Sequence, residues 1–151
     1  MVTRNHVSFV VGSTIYDAGD PDEVTDHLGM QPSTIAWSDI LARESGDDPF
    51  ESHRTWTWML HSPLGDEASA SQRVSSLADL LLPICDRIHT IPERYWRYIQ
   101  CKYDSTPREF PVLSDVGIIL SVEVMRSLVE IGVELSYGAR VWEPDAFQAN
   151  C

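Results

Sequence analysis

The chain switches between two hydrophobic periods. Residues 6–14 place Val7, Phe9 and Val11 on one side and His6, Ser8 and Val10 on the other, the two-residue repeat of a half-buried strand. The stretch DPDEVTDHLG then changes period. Asp20 is a capping residue, Pro21 suits the first helical position, and Glu23 stands three places after Asp20 as in a capping box. Val24 and Leu28 share a face and Gly29 supplies a left-handed stop, so a short helix is expected here. Residues 31–53 are the least regular: a short element over 35–41, including Trp37, fits a strand, and the acidic stretch ARESGDDPFESH follows. Residues 54–61 alternate again, Trp56, Trp58 and Leu60 against Thr55, Thr57 and Met59, with the aromatic and β-branched content of a strand.

The longest helix is predicted over 66–82, where Val74, Leu77, Ala78 and Leu81 follow helical spacing and Asp66 and Glu67 suit the positive end. Pro83 breaks the pattern before Ile84 and Ile88 resume it. Residues 95–103 alternate Tyr95, Arg97, Ile99 and Cys101 with Trp96, Tyr98, Gln100 and Lys102. After the turn-rich DSTPREFP, the apolar run 116–120 predicts a buried strand. Ser121 can cap a helix carrying Val124, Leu128 and Ile131, Gly132 ends it, and residues 133–141 alternate as a closing strand. Residues 143–151 read as a C-terminal tail to a single domain over 1–142. Interleaved elements, short links and one-sided alternation predict an α+β fold. The expected sheet is mostly antiparallel or mixed with helices packed on one face, of ferredoxin-like type.

Composition narrows the function classes. The chain has 151 residues, 43% of them hydrophobic, which is enough for a core without metal or disulfide staples. No apolar run reaches the length of a membrane span and the first residues lack a secretory pattern, so a cytoplasmic protein is expected. Cys85, Cys101 and Cys151 form no C-x-x-C, which disfavours a zinc knuckle or redox pair and suits a reducing compartment. With 23 acidic residues against 11 Lys and Arg, the net charge is −12. Such a field repels nucleic-acid phosphates and anionic lipid and attracts a basic protein.

Candidate chemistry is sparse. No two of the five histidines are three or four apart, the acids Asp17, Asp20, Asp22, Glu23 and Asp26 lack the pattern of a calcium loop, and neither a metal nor a cofactor is expected. Neither a G-x-S-x-G nucleophile elbow nor a glycine-rich phosphate loop occurs, which weighs against an enzyme. Residues 87–108 hold five bases against two acids among Tyr95, Trp96, Tyr98 and Tyr103; pairing with surrounding acids explains them better than nucleic-acid stacking. Trp56 with Trp58, and Trp96 with Tyr98, each share one face of a strand. A face that meets the helices makes its pair core. An uncovered face makes it an aromatic anchor for a protein partner, rimmed by the acidic loop residues Asp47, Asp48 and Glu51. The alternatives are a small-ligand-binding or enzymatic domain with its site beside the open sheet face, and a homodimer.

LGMQP at 28–32, the strand RTWTWML, the helical LADLLLPICDRI and the closing GIILSVEVMRSLVEIGVELSYG together resemble the bacterial domain-of-unknown-function 4279 family over most of the chain. The resemblance implies a small intracellular domain without an established catalytic activity, some of whose members resemble immunity-type genes encoded beside toxins. It assigns no catalytic residue. Charge, missing motifs and resemblance together lead to the expectation of a non-catalytic, acidic protein-interaction domain of immunity or inhibitor type.

Overall fold

The first alternating segment becomes β1 (Arg4–Gly12), the central strand of a five-stranded sheet. The computed structural model describes residues 4–14, 17–41, 52–65, 67–105 and 118–141. In chain order the remaining elements are α1 (Pro21–Leu28), β2 (Thr34–Leu41), β3 (Ser52–His61), α2 (Ala70–Leu81), α3 (Cys85–His89), β4 (Trp96–Ser105), α4 (Val122–Ile131) and β5 (Glu134–Val141). The sheet order is β2-β3-β1-β4-β5. Every pairing is antiparallel except β4 with β5, which α4 joins as a parallel crossover, so the fold is α+β with a mixed sheet.

Local chemistry sets the helix ends. Asp20 accepts from the Asp22 amide at 2.9 Å, and Gly29 and Gly132 adopt φ of 67° and 74° where α1 and α4 stop. Ser121 accepts from the Val124 amide to open α4. The α2 start differs from the expectation. Ser69 and Gln72 exchange side-chain bonds in a capping box (3.2 and 2.9 Å), so Glu67 precedes the helix instead of lying in its first turn. Pro83 sits in a 3-10 turn over Leu82–Ile84, which separates α2 from α3 as the broken pattern predicts.

Helix ends are also tied to one another. Arg87 on α3 donates Nη1 to the Leu28 carbonyl at the end of α1 (3.0 Å), while His27 on α1 donates Nε2 to the Arg87 carbonyl (2.8 Å). His89 donates Nε2 to the Glu130 carbonyl near the end of α4 (2.8 Å). Each donor satisfies a carbonyl in a last turn, where the helix has no partner for it.

All the long helices pack into one cluster. Val24 and Leu28 of α1, Val74, Leu77 and Leu81 of α2, and Leu128 and Ile131 of α4 meet Phe9, Val11, Trp56, Trp58 and Ile99 of the sheet. The apolar run at 116–120 behaves differently from the expected strand in its described part. Residues 118–120 have no strand pairing; Ile118 and Leu120 pack against the core, and the Ile119 amide donates to Ser71 Oγ on α2. The expected tail at 143–151 lies outside the described residues.

Candidate functional site

The sheet treats the two aromatic pairs in opposite ways. Trp56 and Trp58 are 1% and 0% exposed and face the helices. Trp58 packs edge-on against Phe9 with centroids 6.3 Å apart, and Trp56 lies 5.1 Å from Tyr95. Their indole N–H groups tie this layer to the sheet: Trp56 donates to the Ala18 carbonyl (2.5 Å) and Trp58 to Thr25 Oγ1 on α1 (3.0 Å). These two rings are core, the outcome expected where the face meets the helices, and they are not available to a partner as an exposed pair would be.

Trp96 and Tyr98 point to the other face. Their rings stack at 5.3 Å with 17° between planes, and Trp96 is 37% exposed. Gly12, opposite Trp96 in the ladder, lets the indole lie on the β1 backbone; a β-carbon there would fall 1.8 Å from Cζ2 of the ring. Trp96 Nε1 donates to the Ser13 carbonyl at 3.1 Å and fixes the ring plane. Val10, beside Tyr98 and Met59 in register, is 1% exposed yet stands apart from the helix-side cluster. The open face therefore carries a small apolar layer of its own, topped by a presented indole. Asp47, Asp48 and Glu51 lie outside the described residues.

Three of the five bases around these rings are engaged in structural contacts. Arg94 pairs with the Glu23 carboxylate, Arg97 Nη1 donates to the Ile91 carbonyl at 3.4 Å, and Arg87 closes α1. Tyr95 donates its hydroxyl to Glu23 Oε2 at 2.6 Å. That hydrogen bond, with Arg94 beside it, holds the Glu23 carboxyl below its ordinary value, while burial and then the Glu23 contact push the Tyr95 phenol up. Glu23, which the spacing assigns to a capping box, instead clamps α1 to the segment before β4, and the Asp20 amide donates to the Tyr95 hydroxyl at 3.3 Å.

The open face also brings Ser8 and His61 together, 53 residues apart, with Ser8 Oγ 2.7 Å from His61 Nδ1. A serine beside an imidazole invites comparison with nucleophilic catalysis. There, the second ring nitrogen bonds a carboxylate that orients the base. Here His61 Nε2 instead lies 3.3 Å from Thr34 Oγ1. The pair has no local spacing signal; only the shared outward position of Ser8 and His61 in two alternating strands hints at it. Among the described residues, no group of three or more His, Cys, Asp or Glu is placed to hold a metal ion. Cys101 is buried and its thiol is pushed up to about 11 by desolvation, which leaves it protonated and unreactive at neutral pH. No helix among the described residues is long and apolar enough to cross a membrane.

Fold and surface together define an α+β domain with helices on one face of a mixed sheet and an aromatic pair presented on the other. The chain belongs to the family described as Domain of unknown function (DUF4279), whose model matches residues 3–141. No curated protein and no solved structure matches the chain.

Proposed function

We propose that this domain is a non-catalytic protein-interaction module of inhibitor or immunity type that docks a basic protein on its open sheet face. The observation that carries the reading is the Trp96–Tyr98 stack, held flat over Gly12 and left partly exposed on a face that the described helices do not cover. Large, rigid aromatic rings of this kind dominate interface energetics. The net charge of −12 selects the sign of the partner, since it steers cationic macromolecules and repels anionic ones. Cys85 and Cys101 are free thiols, which suits the reducing cytoplasm.

The test compares affinity capture by the wild-type chain and by Trp96→Ala at low and high salt. The expected result is a basic protein retained by the wild type, released by salt, and bound by the variant about 30-fold more weakly, the loss typical of an interface hot spot. A partner bound equally by both proteins, or one of acidic charge, refutes the reading. Light scattering on the isolated chain distinguishes a self-paired dimer, which would occupy the face with a second copy.

A further inference from the structure

The first residue of β5 stands beside the aromatic stack. In the parallel β4–β5 ladder Glu134 is the register partner of Tyr98, whose partner on the other side is Val10 of β1. Register partners share a face, and neighbouring strands lie about 4.8 Å apart, so a glutamate side chain here reaches the ring edge. Glu134 is exposed, and among the described residues it makes no hydrogen bond or ion pair. The nearby described cations are placed elsewhere. Arg94 pairs with Glu23, Arg97 donates to the Ile91 carbonyl, and Lys102 stands four residues beyond Tyr98, opposite Gly138. A carboxylate without a counter-ion thus borders two rings that are already fixed in place.

We propose that the Trp96–Tyr98 stack and Glu134 form a recognition site for one arginine side chain of the partner. The site belongs to the docking face and rests on that reading, to which it adds the chemical group engaged. Aromatic faces attract a cation within about 6 Å of the ring centroid, and tryptophan does so most strongly. A carboxylate accepts the guanidinium fork through two parallel hydrogen bonds. Arginine is planar and weakly hydrated, so it can lie on a ring while its edge bonds Glu134; the compact, strongly hydrated ammonium of lysine cannot do both. The rings need no rearrangement, because Gly12 admits the indole and the Ser13 carbonyl holds its Nε1. The net charge of −12 draws any cation toward the chain, whereas this site tells one cation from another.

The probes are three blocked tripeptides, acetyl-Gly-X-Gly-amide with X as arginine, lysine or citrulline, titrated into the full chain at constant ionic strength. NMR follows the Trp96 indole N–H and the Tyr98 and Glu134 amides. The arginine and lysine peptides carry equal charge, so the acidic surface treats them alike, and citrulline keeps the shape of arginine without its charge. The expected result is saturable shifts with the arginine peptide and binding at least about threefold weaker for the other two. Glu134→Gln, a same-size change at an exposed strand position, should weaken the arginine peptide about two- to fivefold, the loss of a partly exposed charge pair. Equal binding of the lysine or citrulline peptide, no saturable shift up to about 100 mM, or unchanged binding in Glu134→Gln overturns the proposal. Affinity capture separates the two readings. A basic protein lost on Trp96→Ala but held undiminished by Glu134→Gln leaves the docking reading standing and overturns the arginine site. A working peptide site with no basic protein captured overturns the docking reading alone.

Discussion

Gly12→Ala is the substitution that most directly probes how the open face is built. A β-carbon at this position would fall 1.8 Å from Trp96 Cζ2 and 2.3 Å from Cε2 and Cη2, so the indole cannot remain in place. Swinging it aside breaks the Nε1 bond to the Ser13 carbonyl and the stack on Tyr98. The hydrogen bond is worth about 1 kcal/mol and the aromatic pair about 0.5–1.5 kcal/mol. Removing a glycine offsets about 0.4–1 kcal/mol of this by restricting the unfolded chain. The net expectation is a destabilisation of about 0.5–2 kcal/mol, or a fall in Tm of about 1–8 °C for a chain of this size. Thermal denaturation followed by circular dichroism measures it. The same substitution in a Trp96→Ala background should instead stabilise by about 0.4–1 kcal/mol, because the clashing atoms are gone and only the restriction of the unfolded chain remains. Equal cost in both backgrounds would refute the account of Gly12 as the seat of the indole; so would no cost in the wild-type background.

Three further perturbations test the rest of the structure. Trp58→Phe removes a fully buried indole bonded to Thr25 and should destabilise by about 2–3 kcal/mol in chemical denaturation, from lost packing and the lost indole–hydroxyl hydrogen bond; a change under about 0.5 kcal/mol would contradict the core assignment. The Glu23 carboxyl is held below its unfolded value of 4.5, so its contribution is present above that value and is lost as pH falls through the lowered folded one. Glu23→Gln should flatten the acid limb of a stability–pH profile, and an unchanged slope would count against the clamp. Cys101, with its thiol pushed up to about 11, should resist iodoacetamide at pH 8 in the native chain and react only on unfolding, as read by peptide mapping; rapid native alkylation would contradict its burial.

Which side chains share a face was legible from residue order alone, because the two-residue repeat of a strand is local. Trp56 with Trp58, and Trp96 with Tyr98, follow directly from it. What covers each face is not local. The helix-side pair became core because Val24 and Leu28 bring α1 down on β3, sealed by the Trp58–Thr25 bond across 33 residues. The caps at Asp20, Ser121, Gly29 and Gly132 were equally readable, each depending on neighbours within a few positions. The α2 start was misplaced because the reciprocal Ser69–Gln72 bonds outweigh the weaker pull of acids toward a helix N-terminus. The Ser8–His61 contact left almost no signal, because only strand register brings them together.

The separation of the rings from the acids of the helices has a kinetic consequence for any partner seated on Trp96, with Glu134, beside Tyr98 in the ladder, as the acid nearest the stack among the described register pairs. Asp22, Glu23 and Asp26 lie on α1, and Glu123 and Glu130 on α4, all in the helical layer behind the sheet. A protein docked on the open face would feel these acids at a distance and would not neutralise them by direct contact. Long-range charge of this kind acts on encounter, whereas desolvated rings act on residence. Raising salt should therefore slow association, since the Debye length falls below the thickness of the sheet and helix layers, to about 3 Å at 1 M. The dissociation rate should change little. Trp96→Ala should do the reverse, accelerating dissociation with a small effect on association. Surface plasmon resonance at several salt concentrations separates the two, and a salt effect confined to the dissociation rate would place the acids inside the interface and overturn this division of roles.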